Sequence, residues 1–518
     1  MTKDKAAWTV MVYLAGDNNL TSECMFALTE MKGAALSKDL NVVAQFDPSD
    51  PYLPSHRYEI NLDNENIYQD IVDYARYYQN HKEVRFKKES RKALLLAARR
   101  DEARDKLREA GLKELEQASL TAPKEDEVIT DDTDTGSPIT LYNFISFCLE
   151  NYPAERYMVV LSGHAGGTER DYLLKDESSA RSLTFNELQQ VFKQIKRDRK
   201  GKLIDIVGMD NCLMSMAEIC YELRDVAEIV VGCESFSPIS GWPYRQILER
   251  LCTDFVNPKS VTAEAAKAIV EEYVSFYSTY WMAGLSVTQS ALNVAKVEEL
   301  QRLINELAQA MEDELVAESK QKPRRPSKHR FENALVLAHW EAQSYNGEQY
   351  VDVYDFCDCL QKRGPSKEIG KRCQALKEFI ATEFVLKSCY CGAIYQYSYG
   401  VSIYFPWANI APSYWNLDFA DEKAPGWGTF LKAYTRITRR SPRNGTGDHR
   451  MKYSGDNKKS PRHRMYIDRM YIDRMMIERM GSHNRIHSMR NPPAAFNPEE
   501  YVKDGADVLK TQKRFRLR

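Results

Sequence analysis

The chain has 518 residues, enough for two or three structural units at roughly 150 residues each. Its 43% hydrophobic and 28% charged residues exclude a disordered chain, and no run nears the ~18–20 apolar residues that a membrane-spanning helix needs. A net charge of −2 hides an asymmetry: residues 436–518 hold 21 Lys/Arg against 9 Asp/Glu, so the tail stands at +12 and the preceding chain at −14.

In chain order, Met1 to Trp8 is charged and lacks the apolar stretch of a secretory signal. Eleven cysteines, odd in number and scattered through apolar segments, fit a reducing cytoplasm better than a disulfide scaffold. Trp8 to Ala15 predicts a buried strand. The polar turn Gly16-Asp17-Asn18-Asn19 closes it and can cap a helix from Leu20 to Leu36. Asn41 to Phe46 is a second strand, so the chain opens with a βαβ unit and a mostly parallel sheet is expected. Residues 68–124 change texture, to a Lys/Arg/Glu-rich helical pattern that reads as an inserted arm with a solvated face. Lys124 to Asp134 is an acidic surface loop. A helix from Leu141 to Leu149 then leads into the apolar run Tyr157 to Leu161, which ends in Ser162-Gly163-His164-Ala165-Gly166-Gly167.

Thr168 to Ser182 is polar, carries Arg170, Lys175 and Arg181, and reads as an exposed, cleavable loop. After a helix from Phe185 to Ile195, the apolar run Leu203 to Gly208 predicts a strand buried on both faces. Met209-Asp210-Asn211-Cys212 follows, then helical spacing from Leu213 to Leu223. This puts Cys212 where the carboxyl end of a parallel strand meets a helix, the usual place of binding crevices in open α/β sheets. A helix N-terminus there would lower the thiol pKa, and the thiolate is the nucleophilic form. Ile229 to Gly232 is the next strand, followed by the loop Ser237 to Tyr244 with two prolines and two large aromatics.

Beyond Val261 come a helix, a strand from Gly284 to Val287, an amphipathic helix from Val297 to Ala317, a strand from Tyr399 to Phe405 and a closing helix from Trp427 to Tyr434. Together they predict a smaller second α/β layer. Lys322 to Lys328 is a basic loop. The tail, residues 437–518, includes a five-residue repeat between Arg464 and Met480, and its composition gives it no core of its own.

Two strands that end in a histidine and a cysteine bring a base and a nucleophile to one sheet edge. That is the constellation of nucleophilic catalysis, and it rests on His164 and Cys212. Strand alternation further sets Asp210 on the same side as Cys212, and a buried carboxylate is the natural partner of a guanidinium. The pairs Cys357/Cys359 and Cys389/Cys391 are spaced by one residue, whereas zinc ligands are usually spaced by two to four, so they read as packing. His339, inside an apolar stretch, reads as a hydrogen-bonded core histidine. No phosphate-binding or dinucleotide glycine pattern follows a strand.

These pieces in order, with Asp134-Thr135-Gly136, Leu141-Tyr142-Asn143-Phe144, Gly241-Trp242-Pro243-Tyr244 and Gly400 to Pro406, resemble the clostripain family of cysteine peptidases. The resemblance runs from about residue 8 to 436 and is interrupted by the 68–124 insertion. It implies a caspase-like α/β/α sandwich with a mostly parallel central sheet, a helical insertion and a smaller C-terminal α/β subdomain. The units are then a peptidase core (1–67 and 125–258), the insertion (68–124), the subdomain (259–436) and the tail (437–518). It implies a cysteine endopeptidase that cleaves after basic residues, with Cys212 as nucleophile, His164 as general base and acid, and the backbone N–H groups of Ala165 and Cys212 as the oxyanion site. Asp210 matches the acid of the pocket for a basic side chain, and bidentate pairing would favour Arg over Lys. Ser240 stands where many relatives carry a second pocket acid, and Ala165 where the family commonly has Gly. The resemblance further implies a zymogen cut between His164 and Cys212, with Arg170, Lys175 and Arg181 as processing sites open to the enzyme itself or to an upstream protease. Calcium enters by resemblance only. The partners expected are proteins or peptides with exposed Arg/Lys, and an acidic partner, such as nucleic acid, for the basic tail. The competing reading is a catalytically degenerate interaction protein, disfavoured by retention of both Cys212 and His164.

Overall fold

The computed structural model describes residues 5–49, 55–60, 133–256, 261–279, 285–320, 331–346 and 349–440, together with a two-residue strand at 503–504. The 68–124 arm, the 322–328 loop, the repeat and nearly all of the basic tail lie outside the described residues.

The chain opens with β1 (Ala6–Gly16), α1 (Thr21–Lys32), β2 (Leu40–Pro48) and β3 (His56–Glu59), the predicted βαβ unit plus one antiparallel strand. α2 (Pro138–Asn151) leads into β4 (Ala154–Ser162), then the single turn α3 (Gly167–Arg170) and the hairpin β5 (Leu173–Asp176) and β6 (Arg181–Leu183). α4 (Phe185–Asp198) starts with a capping box, Thr184 bonding Glu187 reciprocally, as its sequence dictates. β7 (Ile204–Asp210), α5 (Ala217–Glu222), β8 (Ala227–Gly232), α6 (Tyr244–Asp254) and α7 (Thr262–Thr279) follow. The rest comprises β9 (Val287–Asn293), α8 (Val297–Lys320), α9 (Phe331–Glu341), β10 (Ser344–Tyr345), β11 (Tyr350–Asp352), α10 (Val353–Lys362), α11 (Lys367–Phe379), β12 (Val385–Cys391), β13 (Ser402–Tyr404), α12 (Trp427–Arg440) and β14 (Lys503–Asp504).

The central sheet has the order β14-β12-β9-β8-β7-β4-β1-β2-β3. Its middle, from β8 to β2, is parallel, and both flanks are antiparallel. Both faces of the middle strands are buried. Along β1, Met11, Tyr13 and Ala15 enter one core with α2, α4, α5 and α8, while Val10, Val12 and Leu14 enter the other with α1, α6 and α7. Alternate residues feeding two separate cores define an α/β/α sandwich.

The boundary expected near residue 258 falls inside this sheet, because β9 pairs with β8 and β12 with β9. Among the described residues, two small sheets, β10-β11-β13 and β5-β6, stand apart from it. The β9 strand also lies later than expected. Its Thr288, Gln289 and Ser290 are buried polar residues, so no apolar run marks it.

Candidate active site

The register of the parallel strands builds the site. Ser162 at the end of β4 pairs with Asp210 at the end of β7, and Leu14 of β1 pairs with Ser162. His164 and Cys212 each lie two residues beyond a paired position on adjacent strands, which run ~4.8 Å apart. Asn211 ties the two turns together, its Nδ2 donating to the Gly163 carbonyl at 2.7 Å. His164 and Cys212 thus lie on neighbouring turns at the carboxyl edge of the sheet.

The turn that carries Cys212 differs from expectation. No helix starts at Leu213. Leu213 adopts φ 64°, and α5 begins only at Ala217. A left-handed leucine costs roughly 1–2 kcal/mol, and the surroundings enforce it. Leu213 N–H donates to the Ser235 carbonyl at 2.9 Å, and the Met214 and Ser215 N–H groups donate to the Cys233 carbonyl at 2.9 and 3.0 Å. Without a helix N-terminus beside it, the thiol is not acidified. Burial pushes Cys212 up to about 11, opposed by a backbone hydrogen bond from Ser237; the sulfur also lies 3.9 Å from the Ser237 carbonyl. Strand alternation likewise stops at Asp210, so it does not govern where Cys212 points.

His164 is half-buried, and burial lowers its pKa; Lys175 lowers it further and Glu177 opposes this. Its Nε2 lies 2.6 Å from Asn19 Oδ1, and its carbonyl accepts from Leu174 N–H at 2.8 Å. Ala165 has no positive φ, so its Cβ is accepted without strain. The demand for glycine falls later: Gly167 has φ +64°, and a Cβ there would lie 2.5 Å from Tyr350 Oη. Among the described residues, neither Ala165 N–H nor Cys212 N–H has an intramolecular acceptor.

Asp210 is buried beneath Gly241, whose φ of +65° and missing Cβ let the backbone come close; a Cβ there would sit 2.8 Å from Oδ2. Oδ2 accepts from Ser162 Oγ and Tyr244 Oη, both at 2.9 Å, whereas Oδ1 is buried without a hydrogen-bond partner. Burial raises this carboxyl to about 6 against those hydrogen bonds. The two-pronged grip expected for a guanidinium is thus reduced: Oδ2 is already saturated, and Oδ1, although without a side-chain partner, is buried. Ser240 turns to α7, its Oγ 3.0 Å from Tyr277 Oη, and adds no charge to the pocket. Trp242 lies over Gly208 of β7, where a Cβ would meet its ring at 2.7 Å, which pins the loop above the strand end.

The cleavable loop is a hairpin. Arg170 and Lys175 expose their side chains. Arg181 is largely covered and bonded to Asp134 at 3.1 Å, and its backbone packs against Gly136. Its exposed tip, Glu177, Ser178 and Ala180, contains no basic residue. Near the hairpin, Asp17, Asp47 and Asp176 are buried and bring carboxylate oxygens to within 4.8 Å of one another. This all-oxygen set has the donor chemistry that calcium takes. The remaining candidates pack as expected. None of the eleven cysteines forms a disulfide, and Cys357, Cys359, Cys389 and Cys391 are buried. His339 is stacked between Phe405 and Trp407 and bonded to Tyr434 Oη at 2.8 Å, its pKa lowered to about 3 by burial. No helix among the described residues is long and apolar enough to cross a membrane. Sequence reasoning took Asn19 for part of a helix-capping turn and missed its contact with His164.

A cysteine and a histidine on adjacent turns at one end of an α/β/α sandwich mark the candidate site. The profile of the clostripain family matches residues 12–434, and the chain belongs to that family. Clostripain of Hathewaya histolytica is 24% identical over 394 residues, which cover 68% of this chain and 65% of that protein's length. Among solved structures, a secreted C11 cysteine protease from Bacteroides thetaiotaomicron, in complex with an irreversible peptide inhibitor, is 14% identical with a TM-score of 0.49, covering 83% of this chain and 99% of that one. An inactive zymogen C11 protease from Parabacteroides distasonis is 16% identical with a TM-score of 0.49, covering 81% and 98%.

Proposed function

We propose that this protein is a cysteine endopeptidase that cleaves peptide bonds after basic residues. The observation that supports the reading is the Ser162–Asp210 register, with His164 and Cys212 each two residues beyond it and Asp210 buried. His164, kept neutral by burial, takes the Cys212 proton as sulfur attacks the scissile carbonyl. With the thiol raised to about 11, deprotonation accompanies attack and no thiolate is stored beforehand. The Ala165 and Cys212 N–H groups receive the oxyanion. The leaving amine takes the proton back from His164, and water, activated by the same imidazole, releases the acyl group from sulfur.

The free Oδ1 of Asp210 receives the substrate cation. A single oxygen accepts an ammonium as readily as one N–H of a guanidinium, so Lys and Arg are cleaved at comparable rates. The protein is made as a zymogen processed after His164, at Arg170 in the turn α3 or at Lys175 in the hairpin. Asp17, Asp47 and Asp176 would hold calcium, whose charge would neutralise three carboxylates between the ends of β1 and β2 and the hairpin. Eleven cysteines without a disulfide support residence in a reducing cytoplasm, and the basic tail is the part suited to an acidic partner.

The test is labelling by a peptidyl electrophile with Lys or Arg at its reactive end, alongside hydrolysis of a matching peptide. Wild type is expected to be labelled on Cys212, and C212A and H164A to lose turnover by several orders of magnitude while keeping the wild-type melting temperature. Normal turnover by either variant rejects the dyad. A wild-type protein that is processed in the hairpin yet neither labelled nor active supports a binding role instead.

A further inference from the structure

The loop between β1 and α1 reaches the imidazole of His164, and its two asparagines have separate work. Asn18 is buried and builds the loop. Its Nδ2 donates to the carbonyls of Ala15 at 3.0 Å and Lys175 at 2.7 Å, and its Oδ1 accepts from Leu20 N–H at 2.9 Å. Asn19 is exposed, and among the described residues its side chain makes one hydrogen bond, to His164 Nε2 at 2.6 Å. An exposed asparagine that braces nothing else, set on the ring of the catalytic base, has no evident part in folding.

The geometry points to Asn19 as the positioning residue of the dyad: its amide oxygen accepts the Nε2 proton of His164, fixing the ring plane and leaving Nδ1 as the basic nitrogen. An amide oxygen only accepts, so Nε2 must carry hydrogen, and a neutral imidazole with hydrogen on Nε2 has its lone pair on Nδ1. The backbone on the far side is fixed as well, since the His164 carbonyl accepts from Leu174 N–H at 2.8 Å. When the ring takes the thiol proton, the Nε2–H···Oδ1 bond becomes charge-assisted and strengthens. Asn19 therefore favours the imidazolium formed during attack over the resting imidazole. The charged groups that face His164 are Lys175 and Glu177, which pair with each other at 2.9 Å and act on the ring in opposite directions.

This inference rests on the peptidase reading above, and its test separates the two. The variants are N19A and N19D, compared with wild type and C212A in kcat, KM and the pH profile of kcat/KM on a basic peptide, with Cys212 labelling measured in parallel. N19A is expected to lose kcat by about 10- to 100-fold with KM nearly unchanged, a part of the 10²–10⁴ that a positioned acid–base contributes. N19D keeps an acceptor, so it is expected to restore most of kcat. Its carboxylate favours the imidazolium, so the acid limb of its profile moves to higher pH. A merely structural asparagine would lower the melting temperature of both variants and move neither the limb nor the split between kcat and KM. Wild-type kcat and an unshifted profile in N19A, with normal labelling throughout, overturn the role of Asn19 and leave the peptidase reading standing. Failure of wild type to label or turn over overturns both.

Discussion

Asp210 carries the specificity of the proposed site, and its protonation state sets when that specificity exists. Burial raises the carboxyl to about 6, while the hydroxyls of Tyr244 and Ser162 favour its ionised form. Below that pH the pocket floor is neutral and a basic side chain gains no charge pairing, so kcat/KM for Lys and Arg peptides should rise with pH through about 6. The imidazole of His164, its pKa lowered by burial, also loses its proton on the acid side of neutrality, and a Y244F variant separates the two. Loss of one donor to Oδ2 raises the Asp210 pKa, so the limb should move to higher pH with kcat at pH 8 unchanged. An identical profile in Y244F would show that Asp210 does not control the limb. The places of Cys212, His164 and Asp210 at or just beyond strand ends were legible because each follows an apolar run that reads as a buried strand. Asn19 was not, because it is one of several polar turn residues and nothing in the chain order says which of them meets a histidine more than 140 residues away. The saturation of Asp210 Oδ2 was hidden for the same reason: Ser162 and Tyr244 reach it from separate elements.

The β5–β6 hairpin shows what composition conceals. Its polar residues read as a loop, but several bond inward: Asp176 accepts from Thr135 N–H at 2.9 Å and from Ser179 N–H at 2.8 Å, and the Glu177 N–H donates to the Asp17 carbonyl at 2.8 Å. The helix expected from Leu213 failed in the opposite way, since helical spacing is present but the bonds to residues 233–235 pull the first residues into a turn. Proteolysis needs an exposed chain that can extend into an active site. Arg181 is clasped by Asp134 and lies under Gly136, whereas Lys175 is exposed and sits one residue from the backbone bond to His164. Self-cleavage should therefore occur at Lys175 or Arg170 and not at Arg181. Incubated wild type should yield fragments ending at residue 175 or 170, identified by mass. A double R170A/K175A variant should stay intact, while R181A should be cut at least as fast, its hairpin having lost an ion pair. Fragments ending mainly at Arg181 would contradict this order.

At the scale of the whole molecule, the parallel middle of the sheet was readable because its strands are apolar on both faces. The antiparallel flank was not, since β9 is polar and joins the sheet only through its neighbours. Besides sheet pairing, a pair of buried acids on α5 ties that C-terminal part to the centre. Glu218 Oε1 accepts from Tyr404 N–H at 2.8 Å and Tyr414 Oη at 3.1 Å, and Glu222 Oε1 accepts from Phe419 N–H at 3.1 Å. Burial raises both carboxyls to about 7, against the hydrogen bonds they accept. The sign follows from linkage. Between about pH 4.3, where an unfolded glutamate ionises, and about 7, the folded chain holds a proton that the unfolded chain has lost. The stability that Glu218 contributes is thus complete below pH 4.3 and is lost as pH rises through about 7, a change on the order of 3 kcal/mol. Glu234, also raised to about 7, acts in the same direction, while His339, lowered to about 3, acts in the opposite one between pH 3 and 6.5. A difference between two proteins isolates the single residue. E218Q keeps the acceptor oxygen for Tyr404 and Tyr414 and removes the titration. Its melting temperature should fall less than that of wild type between pH 4.5 and 7.5 and should equal or exceed it at pH 7.5. Parallel curves for the two proteins would show that Glu218 does not titrate in this range, and would leave Glu222 and Glu234 as the groups behind any loss of stability toward neutral pH.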